Sequence, residues 1–222
     1  MKTIFLDTAV LLLLLVGVGL WWRGAVRVRF LPCPAWLAWL LENPYMNAVA
    51  SSSTILDRLN LAPGMQILGV GCGSGRLTIP AAERVTPNGA VVALDGQPAM
   101  LEEVKKRVAA KHLENVQILL SRIDQDELEK NVFDRALLVT VLGEISDREA
   151  ALHQIFAALK PGGLLSITEV IPDPHYQPYS VVRRLTEAAG FQFDGQYGSW
   201  FAFTLNFKKT DEPHDKTLQQ LV

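Results

Sequence analysis

From residue 48 onward, short apolar runs alternate with stretches that carry polar residues on one helical face. The apolar runs predict strands at residues 65–70, 90–94, 116–120, 133–141 and 164–170, with a closing hairpin from 191–193 and 200–207. The amphipathic stretches predict helices at residues 51–61, 76–84, 98–111, 147–159 and 179–189, and Lys160-Pro161-Gly162-Gly163 is a predicted turn. Strands that alternate with helices favour an α/β fold with a mostly parallel sheet and an antiparallel end.

The amino-terminal pattern is different, because residues 4–22 are almost uniformly apolar and carry one charge, Asp7. Nineteen helical residues reach ~28 Å, close to the ~30 Å thickness of a bilayer core. Trp21 and Trp22 stand where interfacial aromatic residues belong, and three arginines follow before residue 30. These features predict a single transmembrane helix, with the weak charge bias placing the following domain in the cytoplasm.

Two other interpretations of residues 4–22 remain open. A cleaved signal peptide would need a small-residue cleavage site, which the sequence after the apolar run supplies poorly. A buried core helix would seldom be so uniformly apolar. Residues 30–46, with Trp36 and Trp39, are either an interfacial membrane helix or a helix that caps the globular domain.

The predicted organisation has four parts. Residues 1–29 form the anchor with its basic flank, residues 30–50 a membrane-proximal segment, residues 51–207 the globular domain and residues 208–222 a polar tail. The 222 residues carry a net charge of -2, which argues against a dedicated nucleic-acid binder. The two cysteines cannot form a disulfide framework, and no Cys/His cluster predicts a metal site.

A glycine-rich loop, Gly71-Cys72-Gly73-Ser74-Gly75, joins the first predicted strand to a helix. Glycines there let the backbone approach a ligand closely, although this spacing fits several cofactors. Asp95 ends the second strand about twenty residues later, where a carboxylate can accept hydrogen bonds from both ribose hydroxyls of an adenosine. The alternative for Asp95 is a helix cap or a turn residue.

Four ordered motifs over residues 65–170 carry a resemblance to a known family: MQILGVGCGSG, GAVVALDGQPAML, FDRALLVTVLGEISD and LKPGGLLSITEV. The chain resembles the class I S-adenosylmethionine-dependent methyltransferases of the small-molecule, ubiquinone-pathway type. The resemblance implies a Rossmann-like seven-stranded sheet of order 3-2-1-4-5-7-6 and S-adenosylmethionine as cofactor. It assigns to cofactor binding Gly71, Cys72, Gly73, Ser74, Gly75, Asp95, Gly96, Gln97, Met100 and Asp124.

Two positions depart from the family pattern. The family usually has an acidic residue two positions before the first loop glycine, where this chain has Gly69. An acidic residue near the end of the third strand often meets the adenine, and that position here is Arg122. Asp124 substitutes if the loop shifts. Losing such a carboxylate lowers cofactor affinity by on the order of 1–3 kcal/mol.

Methyl transfer needs an acceptor lone pair held in line, so positioning can supply most of the catalysis. The loop after the fifth strand offers Asp173 or His175 as a base and Tyr176 to orient the acceptor. The alternative is that Asp173 serves the turn and His175 is exposed. Glu169 lies in a strand that should be buried, and the sequence assigns it no role.

Three functions follow from these features. The first is a membrane-anchored methyltransferase acting on a hydrophobic small molecule such as a lipid, quinone, isoprenoid or thiol. The second is a degenerate methyltransferase fold serving as an accessory subunit of a membrane protein complex, which Gly69 and Arg122 favour. The third, an NAD-dependent oxidoreductase, is disfavoured because GCGSG departs from GxGxxG spacing. The partners expected are the bilayer and an apolar acceptor, and no nucleic acid.

Overall fold

The computed structural model describes residues 44–171 and 173–210, together with the isolated positions Gly17 and Gly24. The helices are α1 (Pro44–Val49), α2 (Ser52–Arg58), α3 (Thr78–Val85), α4 (Pro98–Ala110), α5 (Arg148–Ala158) and α6 (Tyr179–Ala188). The strands are β1 (Gln66–Val70), β2 (Ala90–Asp95), β3 (Val116–Leu120), β4 (Phe133–Val139), β5 (Leu159–Val170), β6 (Phe191–Ser199) and β7 (Ala202–Lys209).

The seven strands form one sheet of order β3-β2-β1-β4-β5-β7-β6, which confirms the predicted fold class and strand order. Strands β1 to β5 pair in parallel and β7 pairs antiparallel with β5 and β6. Val70 stands opposite Leu94, so β1 and β2 end at the same edge. This carboxyl edge therefore brings the glycine loop and Asp95 together, as expected for ligand sites in open α/β sheets.

Helices cover both faces of the sheet and bury two apolar layers. On one face Leu138 packs with Leu152 of α5 and Phe203 of β7. On the other face Ile67 and Leu137 pack against α2 and α3. Two of the helices begin at a side-chain cap: the Ser51 side chain accepts a hydrogen bond from the Thr54 N–H at 3.2 Å at the start of α2, and Asp147 caps α5 in the same way.

Several element bounds differ from the sequence prediction. Residues 160–163, predicted as a turn, lie inside β5 as a bulge. Phe133 of β4 pairs with Leu159 and Arg135 pairs with Leu164, so β5 has more residues than β4 between these two pairs. Strand β7 continues to Lys209, and Lys208 pairs with Leu164, so the prediction that the tail starts at 208 is wrong for these two residues. Pro44 begins α1, because proline fits the first helical position.

The end of the membrane-proximal segment belongs to the globular domain. Ala50 is 2% exposed and packs with Ile55, Val170 and Ala202. Of residues 30–46, for which an interfacial helix and a capping helix were both open, the structure describes only 44–46, so that choice stays a prediction. Among the helices of the described residues, none has the length and apolar character needed to cross a bilayer. Apart from Gly17, the predicted transmembrane helix at 4–22 lies outside the described residues, as do the segment 30–43 and residues 211–222 of the tail.

Candidate cofactor site

The glycine loop after β1 depends on its glycines. Gly71, Gly73 and Gly75 have φ angles of +62°, +55° and +89°, which residues with a side chain rarely adopt. A Cβ on Gly71 would stand 2.5 Å from Cγ2 of Val141, whereas a Cβ on Gly73 would meet no atom within 4 Å. The loop is therefore closely packed against the protein at Gly71 and leaves open space at Gly73, so that a ligand can approach the backbone there.

Asp95 binds this loop directly. Its side chain is buried at 6% exposure, its Oδ2 accepts a hydrogen bond from the Gly73 N–H at 2.9 Å and its Oδ1 accepts one from the Gln97 N–H at 2.9 Å. Burial raises the pKa of the carboxyl group, whereas the hydrogen bonds from the backbone N–H groups lower it; the effect of burial is the larger one. The Gly96 N–H is a third backbone donor to this carboxylate, which has about four lone-pair sites and so can still accept a hydrogen bond from a ribose hydroxyl. The cap residue of α4 is Gln97, so Asp95 does not cap that helix itself.

A pocket opens beneath the loop, between β1, the end of β4 and α3. Its lining includes Gly69, Gly73, Arg76 and Thr140. A Cβ on Gly69 would meet only the Val92 carbonyl oxygen, at 3.6 Å. The missing acidic side chain thus leaves space on the pocket wall. An open cradle, a buried acceptor at the ribose position and a pocket beneath the loop fit an adenosyl cofactor with an attached amino acid.

The Cys72 thiol lies inside this site as a neutral group. Burial and, to a lesser extent, the negative charge of Asp95 together raise its pKa to about 12. Its Sγ points to the Gly73 carbonyl oxygen at 3.7 Å. Cys72 therefore supplies a small apolar surface rather than a thiolate nucleophile at neutral pH.

The predicted adenine side is only partly assembled. Gly96 lies beside the stem of Arg122, whose Cγ would be 3.6 Å from a Cβ on Gly96. Met100 is 2% exposed and packs into the protein interior. Asp124 is turned towards α5, because its Oδ2 accepts hydrogen bonds at 3.4 Å from Arg122 Nη2 and from the Asp147 N–H. Asp124 therefore holds a loop in this structure, and its contact with a cofactor stays a prediction.

Sequence reasoning missed Asp126, which holds the end of β3. Its Oδ2 accepts hydrogen bonds from the Ser121 hydroxyl at 2.8 Å and from the Arg122 N–H at 2.9 Å. These bonds lower the pKa of the Asp126 carboxyl. Asp126 lies six residues after the last residue of β3, and a carboxylate so close behind a strand end is the signal that could have found this turn.

The three predicted acceptor-side residues lie together in the loop after β5. Asp173 Oδ1 accepts a hydrogen bond from the His175 N–H at 2.6 Å, and the Tyr176 hydroxyl donates to the Trp200 carbonyl oxygen at 2.6 Å. His175 is 3% exposed, so the expectation of an exposed histidine is wrong. The backbone of Gly143 packs against the His175 carbonyl group, which joins the loops after β4 and β5. The catalytic roles of the three residues stay predictions.

Glu169 is buried beneath these loops, at 1% exposure. Its Oε2 accepts a hydrogen bond from the Gln177 N–H at 3.1 Å, whereas Oε1 has no hydrogen-bond partner among the described residues. Burial raises the pKa of Glu169 to about 8, and the nearby Asp173 contributes in the same direction. The carboxyl group is therefore mostly protonated at neutral pH. The sequence placed Glu169 in a buried strand but could not show which loop it meets.

Comparison with known proteins relates this chain to methyltransferases. A family model described as a methyltransferase domain matches residues 61–189. The chain is 32% identical over 110 residues to the demethylmenaquinone methyltransferase of Geobacillus stearothermophilus, covering 50% of this chain and 47% of the relative. It is 32% identical over 126 residues to the tRNA (adenine(58)-N(1))-methyltransferase of Thermus thermophilus, covering 54% and 48%.

Solved structures show the same fold. A SAM-dependent methyltransferase from Aquifex aeolicus superimposes with a TM-score of 0.74 at 22% identity, covering 81% of this chain and 100% of that one. The chain spans about half the length, or less, of the curated relatives it matches. Together these relationships support S-adenosylmethionine, the cofactor predicted from the sequence.

Proposed function

The chain belongs to the methyltransferase domain family, and from this we propose that it transfers a methyl group from S-adenosylmethionine to an acceptor. The observation that carries the proposal is the buried Asp95 carboxylate, which the Gly73 N–H holds against the open glycine loop at 2.9 Å. The Asp95 carboxylate, which can accept hydrogen bonds from a ribose, therefore lies beside the glycine loop, whose backbone can bind an amino-acid group. Recognition of a ribose next to an amino-acid group requires this arrangement.

Within this proposal the chain acts by binding and orientation. When bound, the cofactor would supply a methyl group activated by a positively charged sulfur: as an acceptor lone pair bonds to the methyl carbon, the carbon–sulfur bond breaks and the sulfur leaves as a neutral thioether. Asp95 accepts hydrogen bonds from the ribose hydroxyls, and the loop backbone around Gly73 holds the amino-acid end. Fixing the geometry in this way removes an entropic cost from the reaction and can supply most of its acceleration.

We further propose that the acceptor is a hydrophobic small molecule reached from a membrane. The apolar run at residues 4–22, followed by arginines, supports an anchor with the domain on the cytoplasmic side. One relative is a demethylmenaquinone methyltransferase and another acts on tRNA, so relatedness alone does not choose the acceptor. The net charge of -2 favours an uncharged acceptor over a nucleic acid.

The test is methyl transfer by the full chain in lipid vesicles with S-adenosylmethionine labelled in its methyl group. The acceptors offered are an apolar quinol, an apolar thiol and tRNA. We expect label in the quinol or the thiol, and much less transfer by Asp95→Ala. Asp57→Ala, an exposed helix position, is the matched control and should keep full activity. Label in tRNA alone would contradict the acceptor class.

Gly69 favours a second function, an accessory subunit that has lost cofactor binding. The chain lacks the acidic residue that the family usually places there, and the space stays open. A folded protein that binds no S-adenosylmethionine would support that function and contradict the enzyme.

A further inference from the structure

Four aromatic residues cluster around the turn between β6 and β7, and we name them the aromatic tip: Tyr45, Tyr176, Trp200 and Phe201. Trp200 is 75% exposed, Tyr45 44% and Phe201 39%. The rings of Trp200 and Phe201 meet edge to face with centroids 5.7 Å apart. Such a group of large exposed rings is a typical mark of an interaction surface.

Hydrogen bonds fix this tip to the body of the domain. The Tyr45 hydroxyl donates to the Ile171 carbonyl oxygen at 2.6 Å, and the Ile171 N–H donates to the Phe201 carbonyl oxygen at 2.7 Å. The Tyr176 hydroxyl donates to the Trp200 carbonyl oxygen at 2.6 Å. The start of α1, the end of β5 and the backbone of the β6–β7 turn, which carries Trp200 and Phe201, are therefore tied together.

The tip lies on the same edge of the sheet as the cofactor site. Val170, the last residue of β5, stands opposite Ala202, the first residue of β7. Because β1 to β5 run in parallel, the β6–β7 turn projects from the carboxyl edge, where the glycine loop and Asp95 also lie. A surface that binds the tip will therefore also face the cofactor edge.

The sequence around the tip suits lipid headgroups. No charged residue lies between Asp194 and Lys208, so the turn can enter the headgroup layer without removing a charge from water. Tryptophan and tyrosine are the side chains that favour this layer, because their rings are apolar and their polar groups can still bond. At the tip, both tyrosine hydroxyls already have backbone partners.

The preceding chain joins the domain at this place. Residues 1–43 include the apolar run 4–22 and connect to α1 at Pro44, next to Tyr45 of the tip. An apolar segment that enters a bilayer and continues into the domain at Pro44 would hold the aromatic tip near the same bilayer surface.

We propose that the aromatic tip docks into the headgroup layer of a phospholipid bilayer and turns the cofactor edge of the sheet towards the membrane. This orientation would give the site access to an apolar acceptor, and that part of the proposal rests on the proposed function. The docking itself rests on the exposed rings, the uncharged turn and the position of Pro44.

The experiment measures the depth of Trp200 in the full chain reconstituted in phosphatidylcholine vesicles. Changing Trp21, Trp22, Trp36 and Trp39 to Phe leaves Trp200 as the one tryptophan of the protein. We expect a blue-shifted emission, loss of emission with lipids brominated near the headgroup, and little quenching by aqueous iodide.

The matched control moves the tryptophan to the opposite edge of the sheet. All five native tryptophans become Phe and Glu114→Trp is added at an exposed site just before β3. This tryptophan should respond to iodide and not to brominated lipid. Equal quenching of both positions by the lipid would overturn the proposed orientation.

Two other results would also overturn the docking. Trp200 quenched by iodide alone would place the tip in water. Trp200 protected from both quenchers would mean that residues 30–43 or a second copy of the chain covers the tip. Titration of the same samples with S-adenosylmethionine reports on the proposed function separately, so that a failed docking and a failed cofactor site can be told apart.

Discussion

Replacing Gly69 by aspartate tests the proposal that the pocket beneath the glycine loop holds the amino-acid end of the cofactor. Gly69 is buried at the penultimate position of β1 and lines the pocket beneath the glycine loop. Its φ angle lies outside the left-handed region, and a Cβ there would have one ordinary contact, with the Val92 carbonyl oxygen at 3.6 Å. The backbone therefore accepts a side chain without strain, and the pocket offers space for a carboxylate.

The magnitude follows from a charge-assisted hydrogen bond. A carboxylate at position 69 that meets the amino group of the bound methionine portion should contribute about 1.5–3 kcal/mol. This corresponds to about tenfold to a hundredfold tighter binding of S-adenosylmethionine. Without the cofactor the same carboxylate would be partly removed from water in a pocket whose lining includes Leu137 and Val91, so the free energy of unfolding should fall by on the order of 1–3 kcal/mol.

The assay is calorimetric titration combined with urea unfolding of the wild-type protein and the Gly69→Asp variant. Gly69→Ala controls for the Cβ alone, and Gly69→Asn keeps the shape of the side chain without its charge. Both controls should bind the cofactor within a few-fold of wild type. Unchanged or weaker binding by a well-folded Gly69→Asp variant would refute the placement of the amino-acid end at this pocket wall.

Three further predictions concern buried groups of the site. Asp95→Ala should weaken S-adenosylmethionine binding by about tenfold to a hundredfold in a titration, whereas Asp57→Ala should leave it unchanged; equal affinities would move the ribose elsewhere. Because burial raises the pKa of Glu169 from 4.5 to about 8, the unfolded state loses this proton first as pH rises. The free energy of unfolding should therefore fall between these pH values by on the order of 1 kcal/mol per unit, and Glu169→Gln should remove that slope in urea unfolding at a series of pH values. Because the pKa of Cys72 is about 12, a Cys33→Ser protein should react with iodoacetamide at pH 8 far more slowly than glutathione does, and a comparable rate would contradict the buried thiol.

The regular elements could be predicted because the sequence marks them locally. Strand β3 occupies residues 116–120 as predicted, since an apolar run is bounded there by polar residues on both sides. The strand order followed from the resemblance of four motifs rather than from periodicity. The bulge at residues 160–163 was missed because its Pro and Gly residues are also those of a turn, and only the pairing of β4 with β5 distinguishes the two.

The surroundings of the site depend on contacts that the sequence does not display. The burial of His175 arises where the loop after β4 packs against the loop after β5, through Gly143. The tie between Tyr176 and the β6–β7 turn joins residues 24 positions apart. Trp200 fits the composition of a buried strand, but the turn places its ring in solvent. Long-range packing decides all three, so local pattern could not predict them.

If the Asp95 carboxylate and the glycine loop form a working S-adenosylmethionine site, the purified full chain must bind the cofactor on its own. Calorimetric titration with S-adenosylmethionine and S-adenosylhomocysteine, beside the Asp95→Ala variant, measures this. We expect saturable binding of one ligand per chain, with a clear loss of affinity in the variant. A folded wild-type protein that gives no binding heat with either ligand and shows no stabilisation against thermal unfolding would contradict it.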